Sequence, residues 1–194
     1  MISLGNLLEQ VEVLRAQGSL DIQVGSLCID HRRVVPGAMF VALCGTHVDG
    51  HSYVHAAIEA GAICVLVQQW PAHLPEEIPC IQVANSAKAL GSMASAFYGN
   101  PSEKLTLVGV TGTNGKTTTV TLLYQLFSGL GHGSGLISTV SCKIGQREIP
   151  STHTTPNALE INNLLQQMVQ EGCTHAFMEV SSHAMTQHRV SGLR

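Results

Sequence analysis

The residues best equipped for chemistry lie in one run, Gly109-Val110-Thr111-Gly112-Thr113-Asn114-Gly115-Lys116-Thr117-Thr118, between an apolar stretch and a helical pattern. A polyphosphate needs many hydrogen-bond donors close together with no side chains in the way. Glycines let the backbone curl so that successive N–H groups face the phosphates, and the start of a following helix adds the positive end of its dipole. In such a loop Lys116 would reach the β- and γ-phosphates and the Thr117 hydroxyl would ligate Mg2+. Gly112, Thr113, Asn114, Gly115, Lys116, Thr117 and Thr118 are the candidate nucleotide-binding residues. The run departs from the general G-x-x-x-x-G-K-[ST] pattern at Val110, where a glycine is expected, and Gly112 supplies the flexibility instead. A Gly-rich strand–helix turn without a ligand is the plain alternative. A phosphate loop of this kind also calls for an acid at the end of a neighbouring strand to hold Mg2+. Glu179 closes the run His175-Ala176-Phe177-Met178 and fits that place, since a carboxylate buried there without a partner is costly.

Those residues must be positioned by elements that the apolar pattern outlines. Residues 105–110 read as a strand, and Val120, Leu123, Phe127 and Leu130 mark the buried face of the next helix. Residues 135–137 start another strand, and 140–144 with 148–149 suit a hairpin around Gly145-Gln146. Pro156 suits the first turn of a helix with Thr155 as its N-cap; Leu164, Leu165 and Met168 lie on one side of it and Gly172 ends it. A strand over 174–180 follows. In the first hundred residues, Leu4, Leu7, Leu8, Val11 and Leu14 fall at helical spacing, and 26–30 and 38–43 read as strands separated by Pro36-Gly37. A helix over 53–60 ends at Gly61, strands follow at 62–67 and 81–83, and a helix runs over 87–98. Gly99-Asn100-Pro101-Ser102 breaks the pattern and divides 1–101 from 102–194. Strands alternating with helices predict an α/β fold built on parallel sheet covered on both faces.

Composition narrows the function classes. The net charge of -3 argues against a nucleic-acid binder, which carries a basic stripe. No segment nears the roughly 18 uninterrupted apolar residues of a membrane span, and the N-terminus lacks the basic region of a signal peptide, so a cytoplasmic protein is expected. The six cysteines are scattered with no C-x-x-C pair, and the ten histidines form no H-E-x-x-H. Charged residues make up only 12%, which is consistent with surface meant to meet further protein.

Four ordered segments carry a family resemblance: Asp30-His31-Arg32-Arg33-Val34-Val35-Pro36-Gly37 with Phe40-Val41-Ala42, the phosphate loop, Thr154-Thr155-Pro156, and Met178-Glu179-Val180-Ser181-Ser182-His183-Ala184 with Gln187-His188-Arg189-Val190. Together they resemble the Mur ligases, most closely the MurE type, over nearly the whole chain. The resemblance implies a small N-terminal α/β domain binding the UDP end of the substrate, over 1–101. It implies the first part of a P-loop, parallel-sheet ATPase domain over 102–194. It also implies an activity: ATP-dependent addition of a diamino acid, meso-diaminopimelate or L-lysine, to UDP-MurNAc-L-Ala-D-Glu through an acyl phosphate, by an enzyme that is monomeric at full length. By the same resemblance Lys116, Glu179 and His183 are catalytic, and Mg2+ lies near Thr117, Glu179 and His183. Ile29, His31, Thr46, His47 and Val48 would meet the uridine end, and His153, Thr154, Thr155, Ser181, Gln187 and Arg189 the sugar–peptide part. The family usually has serine where this chain has His31, and some relatives have asparagine at His153. A complete ligase would add the rest of the central sheet, a carbamylated lysine bridging a second Mg2+ and a domain for the amino acid, so an inactive fragment is expected. A non-catalytic nucleotide-binding fragment and another Mur or folylpolyglutamate ligase are the alternatives.

Overall fold

The computed structural model describes residues 1–45, 48–151 and 153–194, and the chain divides into two compact units, Met1–Met93 and Ala94–Arg194. In the first unit β1 (Ile2–Ser3) leads into α1 (Leu4–Leu8), β2 (Val13–Gln17), β3 (Gln23–Val24), β4 (Ser26–Cys28) and β5 (Ala38–Val41). Then come α2 (Val54–Glu59), β6 (Ala62–Val67), β7 (Cys80–Val83) and α3 (Ser86–Phe97), within which the division falls. The sheet order is β2-β7-β6-β5-β4, with β4 to β7 mutually parallel and β2 antiparallel at one edge. β5 is wholly buried and β6 nearly so, as expected for parallel strands covered on both faces. The helix expected through Val11 and Leu14 is overturned. α1 stops at Leu8, and Val13 enters β2 opposite Val83. Ladder hydrogen bonds to β7 outweigh the helical apolar spacing here, and Leu14 is left 58% exposed.

The second unit runs β8 (Thr106–Val110), α4 (Lys116–Gly129), β9 (Ser134–Ile137), β10 (Ser141–Ile144), β11 (Arg147–Pro150), α5 (Ala158–Gln170), β12 (His175–Glu179) and α6 (Ser182–Thr186). β12 lies between β8 and β9, parallel to both, and the β10–β11 hairpin continues the sheet antiparallel beyond β9. The sheet is therefore mixed, parallel where the functional residues are. Strand alternation sends Leu136 and Phe177 to one face, where they pack with Val120 and Tyr124 of α4. Ile137, Ala176 and Met178 go to the other face, against Ile161, Leu165 and Met168 of α5. Two expectations are corrected. Leu130, assigned to the buried face of α4, is 66% exposed, because α4 ends at Gly129 and Leu130 is its C-cap. The N-cap of α5 is Asn157, whose Oδ1 accepts from Glu160 N at 3.0 Å; the Thr155 hydroxyl is engaged elsewhere. No helix among the described residues is long and apolar enough to cross a membrane.

Candidate functional site

In the parallel part of the second sheet, register brings three carboxyl ends level: Glu179 pairs with Val110, and Met178 with Ile137. Ligands of open α/β sheets bind at this edge. β8 runs straight into the glycine loop, which turns through Gly112 (φ 149°) and Gly115 (φ 82°) into α4. Gly115 is the N-cap in a left-handed conformation that a Cβ would penalise. No side chain caps α4, so its first N–H groups are directed into the loop. The Lys116 ammonium folds back across the loop mouth and donates to Gly112 O at 2.7 Å.

Glu179 is the buried acid of this edge, 1% exposed. Its Oε2 accepts from Thr117 Oγ1 at 2.9 Å and its Oε1 from Thr139 N at 2.7 Å. Both donors are neutral, and the ion pairs among the described residues involve other acids. A carboxylate so buried, beside a hydroxyl and a phosphate loop, offers the hard oxygen donors that Mg2+ prefers, so the residues fit that ion. His183 is exposed on α6 and offers nitrogen, which Mg2+ takes less readily than oxygen.

A second cluster grows from the same strand end. The Thr155 hydroxyl donates to Glu179 O at 2.9 Å and accepts from Ser181 N at 3.0 Å. Ser181 caps α6 through Ala184 N. Arg189 donates from Nη1 to Thr155 O, and from Nε and Nη2 to Gln187 Oε1 at 2.9 and 2.6 Å. Structure thus gathers Thr155, Ser181, Gln187 and Arg189. Thr154 is half-buried beside them in sequence, and His153 is exposed.

In the first unit Ile29 and His31 follow the carboxyl end of β4. The His31 ring stacks on Tyr53, with centroids 4.2 Å apart and planes within 3°. Asp30 grips the neighbouring Arg32 through its Nε and Nη2 at 2.9 and 2.8 Å. That grip, chiefly the side-chain hydrogen bonds, holds the Asp30 carboxyl down to about 2. Val48 is 56% exposed; Thr46 and His47 lie outside the described residues. Sequence reasoning missed Thr139, which acts through its backbone, and Tyr53, whose only local signal is an aromatic residue opening an expected helix.

The Mur ligase family catalytic domain model matches residues 23–98, and the Mur ligase middle domain model matches residues 110–194. The chain is 49% identical over its whole length to the UDP-N-acetylmuramoyl-L-alanyl-D-glutamate--2,6-diaminopimelate ligase of Bacteroides fragilis, covering 40% of that protein. It is 50% identical over 97% of its length to the ligase of the same name from Cytophaga hutchinsonii, covering 39% of it. A solved structure bearing that enzyme name superposes with a TM-score of 0.77 at 24% identity, over 98% of this chain and 38% of the other. The chain thus spans about 40% of the length of the curated relatives it matches. With both domain models matched in order along it, the chain belongs to the Mur ligase family.

Proposed function

We propose that this chain is the nucleotide- and UDP-substrate-binding part of a MurE-type ligase, which joins a diamino acid to UDP-MurNAc-L-Ala-D-Glu at the expense of ATP. The observation that carries the reading is the Thr117–Glu179 hydrogen bond across the carboxyl edge, at the foot of the glycine loop. The names of the similar proteins favour 2,6-diaminopimelate over lysine as the amino acid. A carboxylate is a poor electrophile. Transfer of the γ-phosphoryl group of ATP to the free carboxylate of the substrate gives an acyl phosphate and ADP; the incoming amine then forms the amide bond as phosphate leaves.

The chain's own residues bind and orient. The loop amides and the start of α4 would cradle the phosphates, and Lys116, released from Gly112 O, would follow the charge that develops on the transferred group. Thr117 and Glu179, with His183 nearby in sequence, would hold Mg2+, which neutralises phosphate charge when bound. The Arg189 fork would meet an anionic group of the peptide part, positioned by Gln187 and Thr155. Ile29, His31 and the 46–48 loop would take the uridine end, His31 offering its ring where the family has a serine hydroxyl. The test is Lys116→Ala in the complete ligase. Turnover should fall by about 10²-fold or more with the circular dichroism spectrum unchanged. Unaltered ligation would remove the phosphate-loop assignment.

A further inference from the structure

Backbone contacts join residues 43–45 to residues 48–50 in the first unit. Cys44 and Asp49 form an isolated antiparallel bridge, Gly45 N donates to Val48 O at 3.0 Å, and Gly50 N donates to Leu43 O at 2.8 Å. A Cβ on Gly50 would come within 2.8 Å of Leu43 N, so this neck requires glycine. Beside this neck stands His51, in the 3-10 turn Gly50–Tyr53, with a side chain only 10% exposed.

The ring's hydrogen bonds define its protonation. His51 Nε2 accepts from Gln68 N at 2.8 Å and from Gln69 N at 3.3 Å, just past the carboxyl end of β6. A backbone amide can only donate, so Nε2 carries no proton and the ring is neutral with its hydrogen on Nδ1. That hydrogen is directed to Asp49 Oδ1, 2.6 Å away. The same oxygen accepts from the backbone N of His51 at 3.0 Å. Gln68 is anchored in turn: its carbonyl accepts from Gln82 Nε2 at 3.0 Å, and its Oε1 accepts from Ser86 N and Oγ at 3.2 and 2.8 Å. One imidazole therefore bridges a loop carboxylate and the end of a central strand.

The same geometry answers the competing use of these groups. Cys44, Asp49 and His51 bring a sulfur, an oxygen and a nitrogen within 4.8 Å of one another, the one such trio among the described residues. A metal there would need the Nδ1 lone pair, and that nitrogen holds the proton. Moving the proton to Nε2 would set it against the Gln68 amide.

We infer that His51 is a positioning residue that, as a single neutral tautomer, fixes the uridine-binding loop to the end of β6. The inference rests on the proposed role of that loop in taking the uridine end. Losing the bridge should weaken binding of the UDP-substrate without touching the phosphoryl-transfer residues, which belong to the other unit.

The experiment has a ligand-free arm and a ligand arm. In the 194-residue chain, 15N-imidazole NMR should show a protonated Nδ1 and bare Nε2 for His51, with the Gln68 amide protected from hydrogen exchange. His51→Gln, whose amide oxygen can replace Nε2 as acceptor, should keep that protection, whereas His51→Asn and His51→Ala should lose it. In the complete ligase His51→Ala and His51→Asn should raise KM for UDP-MurNAc-L-Ala-D-Glu by about tenfold, as for a partly buried backbone amide left without its acceptor. kcat and the KM for ATP should hold, and His51→Gln should stay within a few-fold of wild type. An Nε2–H tautomer, an imidazolium at neutral pH, or unchanged amide protection in His51→Ala would overturn the bridge itself. An intact bridge whose loss leaves that KM unchanged would overturn the positioning role. Wild-type chain that binds no UDP-MurNAc-dipeptide by titration would instead sink the uridine reading, and the role with it.

Discussion

Replacing Thr117 by valine removes one hydroxyl from a residue of nearly the same shape and isolates what the Thr117–Glu179 contact is worth. Thr117 Oγ1 donates to Glu179 Oε2 at 2.9 Å, and the carboxylate is 1% exposed. Water cannot readily substitute for the lost donor, so the cost is that of leaving a buried acid oxygen unsatisfied. Hydrogen bonds to charged groups contribute about 1.5–3 kcal/mol, and the Thr139 N bond at 2.7 Å remains as partial support. We expect Thr117→Val to lower the unfolding free energy of the second unit by about 2 kcal/mol. For a domain of this size that corresponds to a fall in Tm of about 10 °C. Thr117→Ser keeps the hydroxyl and should recover most of the loss. Thermal and urea unfolding of the wild type, the two single variants, Glu179→Gln and the double variant Thr117→Val/Glu179→Gln give a double-mutant cycle. Its coupling energy should be about 1–2 kcal/mol, within the range for directly bonded partners. A coupling energy below about 0.5 kcal/mol, the level seen between independent sites, would show that the pair does not act as a unit. The case for a joint Mg2+ site would then lose its structural footing.

Three further outcomes follow from particular contacts. Asp30 has its folded carboxyl pulled down to about 2 from an ordinary 3.8 by Arg32, so its stabilisation is complete above about pH 4 and disappears as pH falls towards 2. Unfolding measured against pH should lose that component in Asp30→Asn, and a carboxyl titration midpoint near 3.8 in the native chain would contradict the pairing. Asn157→Ala removes the cap of α5 and should cost about 1 kcal/mol, whereas Thr155→Ala should alter the Glu179–Ser181 connection rather than the cap; equal helix-end exchange rates in Asn157→Ala and wild type would count against this. Leu165→Ala, at a wholly buried position, should cost about 2–5 kcal/mol, and Leu126→Ala, at a site 56% exposed, under about 1 kcal/mol; chemical denaturation of both variants tests which face of each helix is buried.

The amino-acid sequence by itself determined the features whose causes are local. Gly115-Lys116-Thr117 was legible as a strand-to-helix loop because glycine takes, without a Cβ penalty, the left-handed turn that starts α4. The hairpin around Gly145 and the ends of α2 at Gly61 and α5 at Gly172 were legible for the same reason, each glycine having positive φ. The apolar run 62–67 and the mostly apolar 174–180 read as strands, and their alternation with helical patterns implied parallel sheet. Tertiary structure decided everything that depends on which distant segment lies alongside. Val13 became strand rather than helix because β7 supplies a partner seventy residues later. Thr155 lost its cap role because Glu179 O and Ser181 N compete for its hydroxyl. Glu179 could be placed at a strand end from sequence, yet its two donors come from 62 and 40 residues away, and one of them is a backbone group with no side-chain signature. His51 shows the same limit: two residues after Asp49 it reads as one of ten histidines, and only the arrival of Gln68 N at its Nε2 assigns its proton and its task. Backbone conformation is set by near neighbours, whereas a buried polar group takes its role from whichever partner folding brings within about 3 Å.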